Sequence, residues 1–562
     1  MANEKAGGYI SKITLNNGDS LSIQENDIVV FVGPNNAGKS QSLKDIYTLS
    51  EKKIPCVVVK DITVNKHGTP ISEFLASVAS GENRGDYIAY DILGHRMSAG
   101  DYSDRQFAKD NYYGDYRDLF IANLNTSARL TICDPPNNIK RSGSKTHPIH
   151  YAAFDGKYRK WLSDSFKKAF GIEITPNTQY GSQIPLCIGK PVQLTGEYED
   201  EQSRLEEYAR ILDTYKQVQN QGDGIKSFTG ILLYLMLDYF RTYLIDEPES
   251  FLHPPQARIM GQIIGQTLSD QQQAFISTHS EEIIKGLLEV CPERIKIVRI
   301  TREEDTNMFS ILDNNEFEQV WNDPLLRYSN IMASLFHKSV VLCESDSDCK
   351  MYSIIESHIK QKKQAYSETL FIHCGGKHRM AKIITALRSL NIEAKLITDI
   401  DVLNDETVFK GIVESCGVDF STIQTDYNNI VSNLHSAKEK VNRNTAKAII
   451  NQILDSGSNA DLSNREVKDI REAISTISKW DGIKHSGVAA IPAGNAMASF
   501  RNMDQLLRAR GVFIVPVGEL ECFIKEVGGH GPEWANTVLE RYPNLDDEVY
   551  ASITSFIESM NL

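Results

Sequence analysis

The chain alternates short apolar runs with longer polar stretches of helix length, and this alternation recurs in two series. The first series begins with "DIVVFVGPNNAGKSQSLKDIYTL", which predicts a buried strand, a glycine-bearing loop and an amphipathic helix. It continues after Gly222 with the runs "RTYLIDEPES", "QQQAFISTHS" and "RIKIVRI", which are separated by helix-length spacers. Apolar strands that alternate with helices favour a parallel sheet in an α/β fold.

A second series of strand-like runs follows a weak break near 313–332. Its members are "SVVLCE", "TLFIHCGG", "AKLITDID" and, much later, "GVFIVPVGELE". The chain is therefore predicted to contain two α/β domains, each with an insertion. The first domain is predicted to span 1–332, with a variable, partly helical insertion at about 100–221. The second is predicted to span 333–525, with a helical insertion at about 405–510. Residues 526–562 are predicted to form a C-terminal helical tail.

The composition is that of a soluble globular protein, with 41% hydrophobic and 24% charged residues among 562. The formal net charge of −14 argues against a protein that is permanently coated in nucleic acid, but it permits a local basic groove. The nine cysteines form no CxxC pair, which disfavours zinc sites and a disulfide framework and fits a reducing cytoplasm. We expect no secretory signal and no membrane span, since the longest apolar run, Gly230–Phe240, is too short to cross a bilayer.

The first candidate site is a phosphate-binding loop. The segment "GPNNAGKS" matches the pattern G-x-x-x-x-G-K-[ST] and lies between a predicted strand and a predicted helix, as that pattern requires. Lys39 would neutralise the β- and γ-phosphates of ATP, and Ser40 would give its hydroxyl to Mg²⁺. Backbone N–H groups and the helix N-terminus would surround the phosphate oxygens. The predicted ATP-binding residues of the loop are Gly33, Pro34, Asn35, Asn36, Ala37, Gly38, Lys39, Ser40 and Gln41.

Two later segments supply the remaining groups of an ATPase. In "YLIDEPESFLHP", Asp246 is predicted to join the metal shell and Glu247 to polarise the attacking water. In "FISTHS", His279 could reach the γ-phosphate. A strand that ends in two acids often only caps the next helix, and a lone histidine is more often structural. The order of the three segments favours nucleotide hydrolysis.

These segments resemble, in the same order, the ABC-type ATPase heads of chromosome-maintenance and recombination proteins. That family carries a signature before the acidic strand, and "GDGIKSF" occupies this place, although it departs from the usual Ser-Gly-Gly form. The resemblance implies ATP contacts from Gly224 and Lys226. In such heads the signature of one protomer covers the ATP of its partner, which implies a homodimer through the heads, with a dimer of dimers as a larger form. The spacing from Ser40 to Gly222 is too short for a coiled-coil arm, and the family's metal-contacting glutamine is not placed.

The second candidate site consists of carboxylates that follow predicted strands. Glu344 ends one strand, Asp399 and Asp401 end another, and Glu519 and Glu521 follow a third. Residues two apart on an extended chain face the same way, and parallel strands present their carboxyl ends at one edge of a sheet. Carboxylates crowded at that edge repel one another unless a cation lies between them. A ligand set of oxygen atoms alone suits Mg²⁺ or Mn²⁺ rather than zinc.

Each acidic segment also has a simpler alternative. Glu344 could cap the following helix, with "SDSD" as the N-terminal turn, and "TDID" could be a solvated loop. The joint order is more specific: strand-Glu-x-x-x-Asp, a Gly-Gly turn in "HCGGKHR", then strand-Asp-x-Asp. This order resembles the Toprim domain of topoisomerases, primases and some nucleases.

An ABC-type head followed by Toprim, with a late "GELE", resembles the overcoming-lysogenization-defect (OLD) nuclease family, including Gabija-type and retron-linked antiphage nucleases. The resemblance covers roughly 21–50, 222–286 and 334–524. The family also uses a lysine beyond the last acid; only Lys525 follows, sooner than expected, and Arg541 or a residue of the insertion could replace it. The resemblance implies metal binding by Glu344, Asp348, Asp399, Asp401, Glu519 and Glu521, with Glu344, Asp399, Asp401 and Glu519 catalytic.

The OLD resemblance implies phosphodiester cleavage, and the predicted chemistry agrees with it. Two divalent ions in such a site can activate water and stabilise the leaving oxygen of an in-line displacement. Lys377 is a further catalytic candidate, because it follows the Gly-Gly turn together with His378 and Arg379. These basic residues could bind phosphates on either side of the cut. A solvated basic loop is the alternative.

The sequence thus predicts an ATP-binding and ATP-hydrolysing, Mg²⁺- or Mn²⁺-dependent DNA endonuclease in antiphage defence, regulated by the nucleotide state of its head. Two alternatives stay open: a Toprim ribonuclease under ATPase control, for instance one that cuts tRNA, and an ATPase sensor or scaffold with a non-catalytic Toprim platform. The expected partners are DNA, further copies of the chain, and a partner defence protein or retron nucleic acid. Whether ATP restrains or licenses cleavage stays open.

Overall fold

The computed structural model divides the chain into two compact units, 1–314 and 315–562, and each unit is described by itself. The predicted break near 313–332 lies outside the described residues, apart from 323 and 330–332. The described residues are 7–68, 70–79, 81–109, 111–141, 143–190, 192–194, 196–312, 323, 330–435, 443–456, 462–463, 466–467, 470 and 479–562.

The first unit is organised around a mixed sheet whose strands read as apolar runs in the sequence. The strand order is β15-β14-β3-β13-β12-β8, parallel throughout except for the antiparallel edge pair β14 and β15. Every residue of β3, "IVVFV", and of β13, "QAFIS", is buried, as expected for strands covered on both faces. These strands are β3 (Ile28–Val32), β8 (Ile121–Leu124), β12 (Thr242–Asp246), β13 (Gln273–Ser277), β14 (Ile295–Glu303) and β15 (Thr306–Ile311).

Three smaller antiparallel sheets accompany the central sheet of the first unit. Their strand orders are β2-β1-β4, β5-β6-β7 and β11-β10-β9. The strands are β1 (Gly7–Leu15), β2 (Ser20–Ser22), β4 (Val59–His67), β5 (Gly81–Asn83), β6 (Ile88–Ile92), β7 (His95–Ala99), β9 (Ile174–Pro176), β10 (Leu186–Ile188) and β11 (Lys216–Gln217).

Helices connect these strands, as the helix-length spacers predict. The α-helices described in the first unit are Lys39–Leu49, Ile71–Val78, Asp101–Lys109, Arg117–Phe120, Thr126–Thr131, Pro148–Phe154, Gly156–Phe170, Glu201–Asp213, Asp223–Leu235, Pro254–Thr267 and Glu281–Leu288. The stretch of about 100–221, predicted as an insertion, also contains β8, which pairs in parallel with β12 at the edge of the central sheet. The run "IANL" is too short to stand out as a strand, so no sequence pattern predicts this pairing.

The second unit contains a parallel four-stranded sheet, in the order β17-β16-β18-β19. All of its pairings are parallel, so the carboxyl ends of the strands meet at one edge. The apolar runs of the second sequence series thus form one sheet, and the predicted α/β class is confirmed. The strands are β16 (Ser339–Cys343), β17 (Thr369–His373), β18 (Ala394–Thr398) and β19 (Val512–Ile514).

The helices of the second unit include those predicted as a separate tail. Helices Gly531–Arg541 and Ala551–Glu558 pack on helix Asp346–Lys362 in one apolar core, which contains Tyr352 and Trp534. No described helix is long and apolar enough to cross a membrane. The other described α-helices are Met380–Ser389, Glu406–Ser415, Gln424–His435, Arg443–Ser456, Lys479–Ser486 and Asn495–Arg508, of which the last five lie almost wholly within the predicted insertion of about 405–510.

Candidate functional site

The candidate nucleotide site lies where β3 ends and helix Lys39–Leu49 begins. Gly33 and Gly38 have φ values of +141° and +100°, which side chains disfavour, and a Cβ on Gly33 would lie 2.1 Å from the carbonyl oxygen of Ile300. The loop faces a cleft of about 730 Å³, a size that suits a nucleotide. The cleft is lined by Asn35, Asn36, Ala37, Gly38, Lys39, Ser40, Gln41, Lys44, Val57, Val58, Glu247, His279, Arg302, Asp305 and Asn307.

Lys39 is almost fully buried beneath this loop. Its Nζ donates hydrogen bonds to the carbonyl oxygens of Gly33 and Pro34, each at 2.8 Å. Burial lowers the pKa of Lys39 to about 8, although three nearby carboxylates oppose that effect. A buried ammonium group is stabilised by an adjacent anion, and a nucleotide phosphate would supply one. The loop therefore fits the predicted ATP.

Asp246 is the last residue of β12, and its position is fixed by two groups that no sequence pattern predicts. Its Oδ1 accepts a short hydrogen bond from the hydroxyl of Ser277. Its carbonyl oxygen accepts a hydrogen bond of 2.5 Å from Nη1 of Arg129, which is fully buried. Burial lowers the pKa of Arg129, and the acids at the end of β12 counteract this. Arg129 comes from the segment "TSARL", which reads like any surface helix.

Glu247 and His279 both line the cleft. Glu247 adopts φ of +47°, a conformation that is uncommon for a residue with a side chain. Its Oε1 lies 3.8 Å from Nε2 of His279, and burial, followed by the charge of Lys39, lowers the pKa of that histidine. Glu249, which was not predicted, accepts a 2.7 Å hydrogen bond from the backbone N–H of His279, and burial raises its pKa. The structure thus brings the three predicted ATPase segments to one cleft.

The predicted signature residues lie elsewhere in the first unit. Gly224 and Lys226 belong to helix Asp223–Leu235, and neither lines the cleft. Lys226 forms an ion pair of 3.0 Å with Asp223. A Cβ on Gly224 would lie 2.5 Å from the carbonyl oxygen of Phe251, so the helix approaches the loop after β12 closely only because this residue is glycine. Their predicted contact with the ATP of a partner protomer stays a prediction.

The candidate metal site lies at the carboxyl edge of the sheet in the second unit. Glu344 follows β16, and Asp399 and Asp401 follow β18. One ligand oxygen from each of these three residues lies within 4.8 Å of the others. Oε1 of Glu344 also accepts hydrogen bonds from the hydroxyl of Thr398 at 2.8 Å and from the backbone N–H of Asp399 at 3.0 Å. The pairing of β16 with β18 therefore joins acids more than fifty residues apart in the sequence.

Burial and mutual repulsion shift the titration of these acids. Burial, with the charge of Asp401 as a further cause, raises the pKa of Glu344. Burial raises the pKa of Asp399 well above its ordinary value, and the charge of Glu344 adds to the effect. Burial raises the pKa of Asp348 to about 6, with contributions from Glu344 and Glu521. Crowded carboxylates of this kind are stabilised in their charged form by a bound cation.

Asp348 has a structural contact as well as a place beside the acids. Ser345 caps helix Asp346–Lys362: its hydroxyl accepts from the backbone N–H of Asp348 at 3.3 Å, and Asp348 Oδ2 accepts from the N–H of Ser345 at 2.9 Å. The simpler alternative, a helix cap in "SDSD", therefore holds for Ser345 and Asp348. Glu344 instead contacts β18, so it is not the cap.

Glu519 and Glu521 form a second group of potential ligands. One ligand atom each from Glu519, Glu521 and His530 lie within 4.8 Å of one another. Glu521 Oε1 accepts a 2.7 Å hydrogen bond from the backbone N–H of Gly531 and lies 3.8 Å from Nδ1 of His530. No sequence pattern predicts His530, because it lies in a glycine-rich loop nine residues after the last acid. The donor sets of both groups fit hard divalent cations, and the second adds a nitrogen atom.

Two lysines approach the acids. Nζ of Lys377 lies 2.8 Å from Oδ1 of Asp401, as the position of Lys377 after the Gly-Gly turn suggests. Nζ of Lys484 lies 3.2 Å from Oε2 of the buried Glu519. Burial disfavours the charged form of Lys484, but the hydrogen bond to Glu519 and the charges of Asp401 and Asp399 raise its pKa. Lys484 belongs to helix Lys479–Ser486 in the predicted insertion.

The sequence offers two basic residues beyond the last predicted acid, Arg541 and Lys525, and their contacts differ from those of Lys377 and Lys484. Arg541 donates to the carbonyl oxygen of Glu526 at 3.2 Å and lies over the ring of Tyr542. Lys525 is exposed and forms no ion pair within the part of the chain that the structure describes. Among the described lysines and arginines, Lys377 and Lys484 pair with the predicted ligands at this edge, and His485 and His530 lie 3.6 and 3.8 Å from Glu519 and Glu521.

Comparisons with known families match parts of both units. A family model of the AAA ATPase domain matches residues 117–284, and a family model of the overcoming-lysogenization-defect-like Toprim domain matches residues 335–401. The chain matches an OLD-family ATPase–Toprim fusion. The Toprim match contains Glu344, Asp348, Asp399 and Asp401, whereas Glu519 lies beyond it. The predicted family resemblance is confirmed.

Solved structures similar to the chain include SMC head domains. The crystal structure of the SmcHead bound to the C-winged helix domain of ScpA has 11% identity and a TM-score of 0.33, covering 55% of this chain and 99% of that chain. The SMC head domain from Thermotoga maritima has 13% identity and a TM-score of 0.30, covering 55% of this chain and 100% of that chain. No curated protein sequence matches the chain.

Proposed function

We propose that this OLD-type chain is a divalent-metal-dependent DNA endonuclease of the cytoplasm, acts in antiphage defence, and is controlled by the nucleotide state of its ATPase head. An ATPase domain joined to a Toprim domain supports a nucleotide-dependent nuclease. The likeness to overcoming-lysogenization-defect proteins supports the defensive role. The single observation that carries the nuclease assignment is the convergence of acids from distant parts of the chain: ligand oxygens of Glu344, Asp399 and Asp401 lie within 4.8 Å of one another, and the charges of Asp348 and Glu519 help to raise the pKa of Asp399.

The acids at the carboxyl edge of the Toprim sheet would hold Mg²⁺ or Mn²⁺ through two sets of residues. Glu344, Asp399 and Asp401 form one set, and Glu519 and Glu521 belong to the other. When bound, divalent ions at such a site supply an activated water and neutralise the charge on the leaving oxygen. The buried acids fit this role, because burial and then mutual repulsion raise their pKa values, and a bound cation would offset both effects.

The chain's own cations would position the phosphodiester. Lys377 restrains Asp401 through their ion pair and has further N–H groups to offer a phosphate oxygen. His378 and Arg379 follow it in the same turn, where they would contact the backbone on one side of the cut. Lys484, paired with Glu519, is in place to neutralise charge that develops on the phosphate.

The ATPase head would act through the predicted loop and the acidic strand. Lys39 and Ser40 would bind the phosphates and Mg²⁺, together with Asp246. Glu247 would orient the attacking water, and His279 would reach the γ-phosphate. Gly224 and Lys226 would cover the nucleotide of a second protomer, so a homodimer, or a dimer of dimers, is the proposed working form.

Cleavage of plasmid DNA tests this function directly. Purified protein with Mg²⁺ or Mn²⁺ should nick or cut the plasmid, whereas Glu344→Gln and Asp399→Asn should reduce the rate by about 10³-fold, because each removes a metal-ligand charge while keeping the side-chain shape. The matched control is Glu540→Gln, since Glu540 is an exposed acid of the same unit. Cutting by both acid variants at the rate of the control would disprove the site.

Two further arms of the same assay resolve the finer parts of the proposal. Incubation with tRNA in place of plasmid separates DNA cleavage from the ribonuclease alternative, since nothing in the acids separates the two substrates. ATP and a non-hydrolysable analogue are then added to the cleavage reaction. Inhibition by both means that the closed head restrains the nuclease, and stimulation by ATP alone means that hydrolysis licenses substrate entry. Retention of the phenotype in cells by Glu344→Gln would favour the scaffold alternative.

A further inference from the structure

A second cleft in the Toprim unit lies at the edge of the sheet opposite the acids. It borders the amino-terminal ends of β18 and β19, whereas the carboxylates follow the carboxyl ends of β16 and β18. Its volume is about 460 Å³, within the range of small-molecule sites. Neither the family comparisons nor the proposed nuclease assigns a role to this cleft. The basic residues that line it are Arg388, Lys395, Arg508 and Arg510.

The charge of the cleft is strongly positive in a chain whose formal net charge is −14. Glu393 is the acid among its lining residues. Arg508 is neutralised by Asp504, with Nε to Oδ2 at 2.7 Å. Within the described part of the chain, by contrast, Arg388, Lys395 and Arg510 form no ion pair. The cleft therefore holds an excess of positive charge, which attracts anions.

Neutral carbonyl groups hold two of these cations in place. Nη1 of Arg388 donates to the carbonyl oxygen of Ser415 at 2.8 Å, at the end of helix Glu406–Ser415. Nζ of Lys395 donates to the carbonyl oxygens of Met560 and Asn561 at 2.6 and 2.8 Å. The end of a helix carries only about half an elementary charge, so these contacts orient the cations without neutralising them. Burial lowers the pKa of Lys395, and the charge of Lys360 adds to the effect, while the charge of Glu393 opposes it.

The floor of the cleft is apolar. Ile392, Phe513 and Met560 are buried beneath the basic rim, at 2%, 4% and 1% exposure. The guanidinium carbon of Arg508 lies 5.4 Å from the centre of the Phe513 ring. These side chains therefore belong to the core beneath the cleft, and the groups that it presents to a ligand are mainly the basic ones.

We propose that this cleft is a phosphate-binding site, separate from the ATP site of the P-loop, and that Arg388, Lys395 and Arg510 bind the phosphates. The proposal goes beyond the nuclease function and does not depend on it. The phosphate could belong to a free nucleotide or to the end of a nucleic-acid strand, which share the same chemistry. A protein with such a site would respond to nucleotide through the Toprim unit as well as through the head.

Binding of a fluorescent ATP analogue to the full-length Lys39→Ala protein tests the proposal, because that variant weakens the P-loop site. We expect residual binding that Arg510→Glu weakens by about ten-fold, since the change replaces a charge-assisted contact by repulsion. The matched control, Lys447→Glu, reverses an exposed charge on helix Arg443–Ser456 and should leave the affinity unchanged. Thermal unfolding of both variants checks that they are folded, and Lys395→Gln provides a second variant if Arg510→Glu is not.

Competition identifies the source of the phosphate. Displacement by ATP and pyrophosphate but not by adenosine is expected for a free nucleotide. Stronger displacement by a 5′-phosphorylated oligonucleotide than by ATP would assign the site to the end of a strand. The proposal is overturned if Lys39→Ala abolishes all binding, or if Arg510→Glu and Lys395→Gln both bind as the Lys447→Glu control does. Because catalysis is not measured, failure here leaves the proposed nuclease untouched.

Discussion

The nucleotide cleft and the acids of the Toprim sheet both lie at the carboxyl ends of parallel strands, but burial disfavours the charge of a lysine at the first and the charges of carboxylates at the second. In the ATPase unit one buried lysine, Lys39, lies among three carboxylates, and burial lowers its pKa to about 8. In the Toprim unit six acids share Lys377 and Lys484, and burial raises the pKa of Asp348 to about 6.

This difference shows how one kind of scaffold selects different ligands. Both sheets supply the same geometry, since parallel strands end at one edge where loops can carry functional groups. The first edge places a cation and backbone N–H groups together, which suits a phosphate. The second edge places acids together, which suits divalent cations and only then a phosphodiester. The two sites should therefore be separable by mutation.

Among the changes that separate the two sites without removing a metal ligand, the largest effect is expected at the P-loop. Lys39→Ala should lower ATP hydrolysis by about 10²-fold or more, because it removes the cation that neutralises the β- and γ-phosphates. Binding of Mn²⁺ to the nucleotide-free protein should stay unchanged, because the acids belong to the other site. Hydrolysis is measured by phosphate release, with Lys52→Ala as the control at an exposed lysine of the same unit. Hydrolysis by Lys39→Ala at the control rate would refute the assignment.

A comparably large effect is expected at Lys484. Lys484→Ala should slow plasmid cleavage by about 10²-fold while Mn²⁺ still binds, because the lysine pairs with Glu519 without being a metal ligand. Lys525→Ala, which removes the lysine that follows the last acid, should change the rate by less than about three-fold, as for most exposed side chains. A larger effect of Lys525→Ala than of Lys484→Ala would show that Lys525 is the lysine that acts with the metal ligands.

A smaller effect is expected at His530. Its imidazole nitrogen lies with Glu519 and Glu521 in the second ligand group, and nitrogen ligands favour Mn²⁺ over Mg²⁺. His530→Ala should therefore raise the Mn²⁺ concentration for half-maximal cleavage by about ten-fold and change the Mg²⁺ requirement less. Equal changes for the two metals would mean that the histidine is not a ligand.

The smallest expected effect is on stability without metal. The pKa of Asp348 is about 6 in the folded chain against an ordinary 3.8, so the folded state binds a proton that the unfolded chain does not. The contribution of this group to stability is therefore complete below pH 3.8 and is lost as the pH rises through about 6. Thermal unfolding in a chelator should show that Asp348→Asn, compared with the unchanged protein, flattens the slope between about pH 4 and 6. Parallel slopes would contradict the raised pKa.

The parts of both sites that follow local patterns could be predicted from the sequence. The P-loop from Gly33 to Ser40 is readable because its glycines and lysine have a fixed spacing. Glu344, Asp399 and Asp401 are readable because each follows an apolar strand, and parallel strands end together. The fold class follows from the same alternation of runs.

The remaining groups of the two sites come together only when the chain folds, so no local sequence pattern predicts them. Arg129 contacts Asp246 from 117 residues away, and β8 joins the central sheet as a run of only four residues. Lys484 reaches Glu519 from a helix whose sequence resembles any polar insertion. The sequence could therefore suggest that a residue of the insertion pairs with the acids, but not that this residue is Lys484. His530 depends on the turn before helix Gly531–Arg541. Such contacts are set by packing between elements rather than by spacing along the chain.

Titration of the nucleotide-free protein with Mn²⁺, followed by electron paramagnetic resonance, is the most direct measurement of the central claim. The Toprim acids should bind Mn²⁺ in the unchanged protein, and Asp399→Asn and Glu519→Gln should each weaken that binding by about ten-fold or more, because each removes a charged ligand. Glu540→Gln should bind as the unchanged protein does. Absence of bound Mn²⁺ in the unchanged protein, or equal binding by all three variants, would contradict the claim that the distant acids form one metal site.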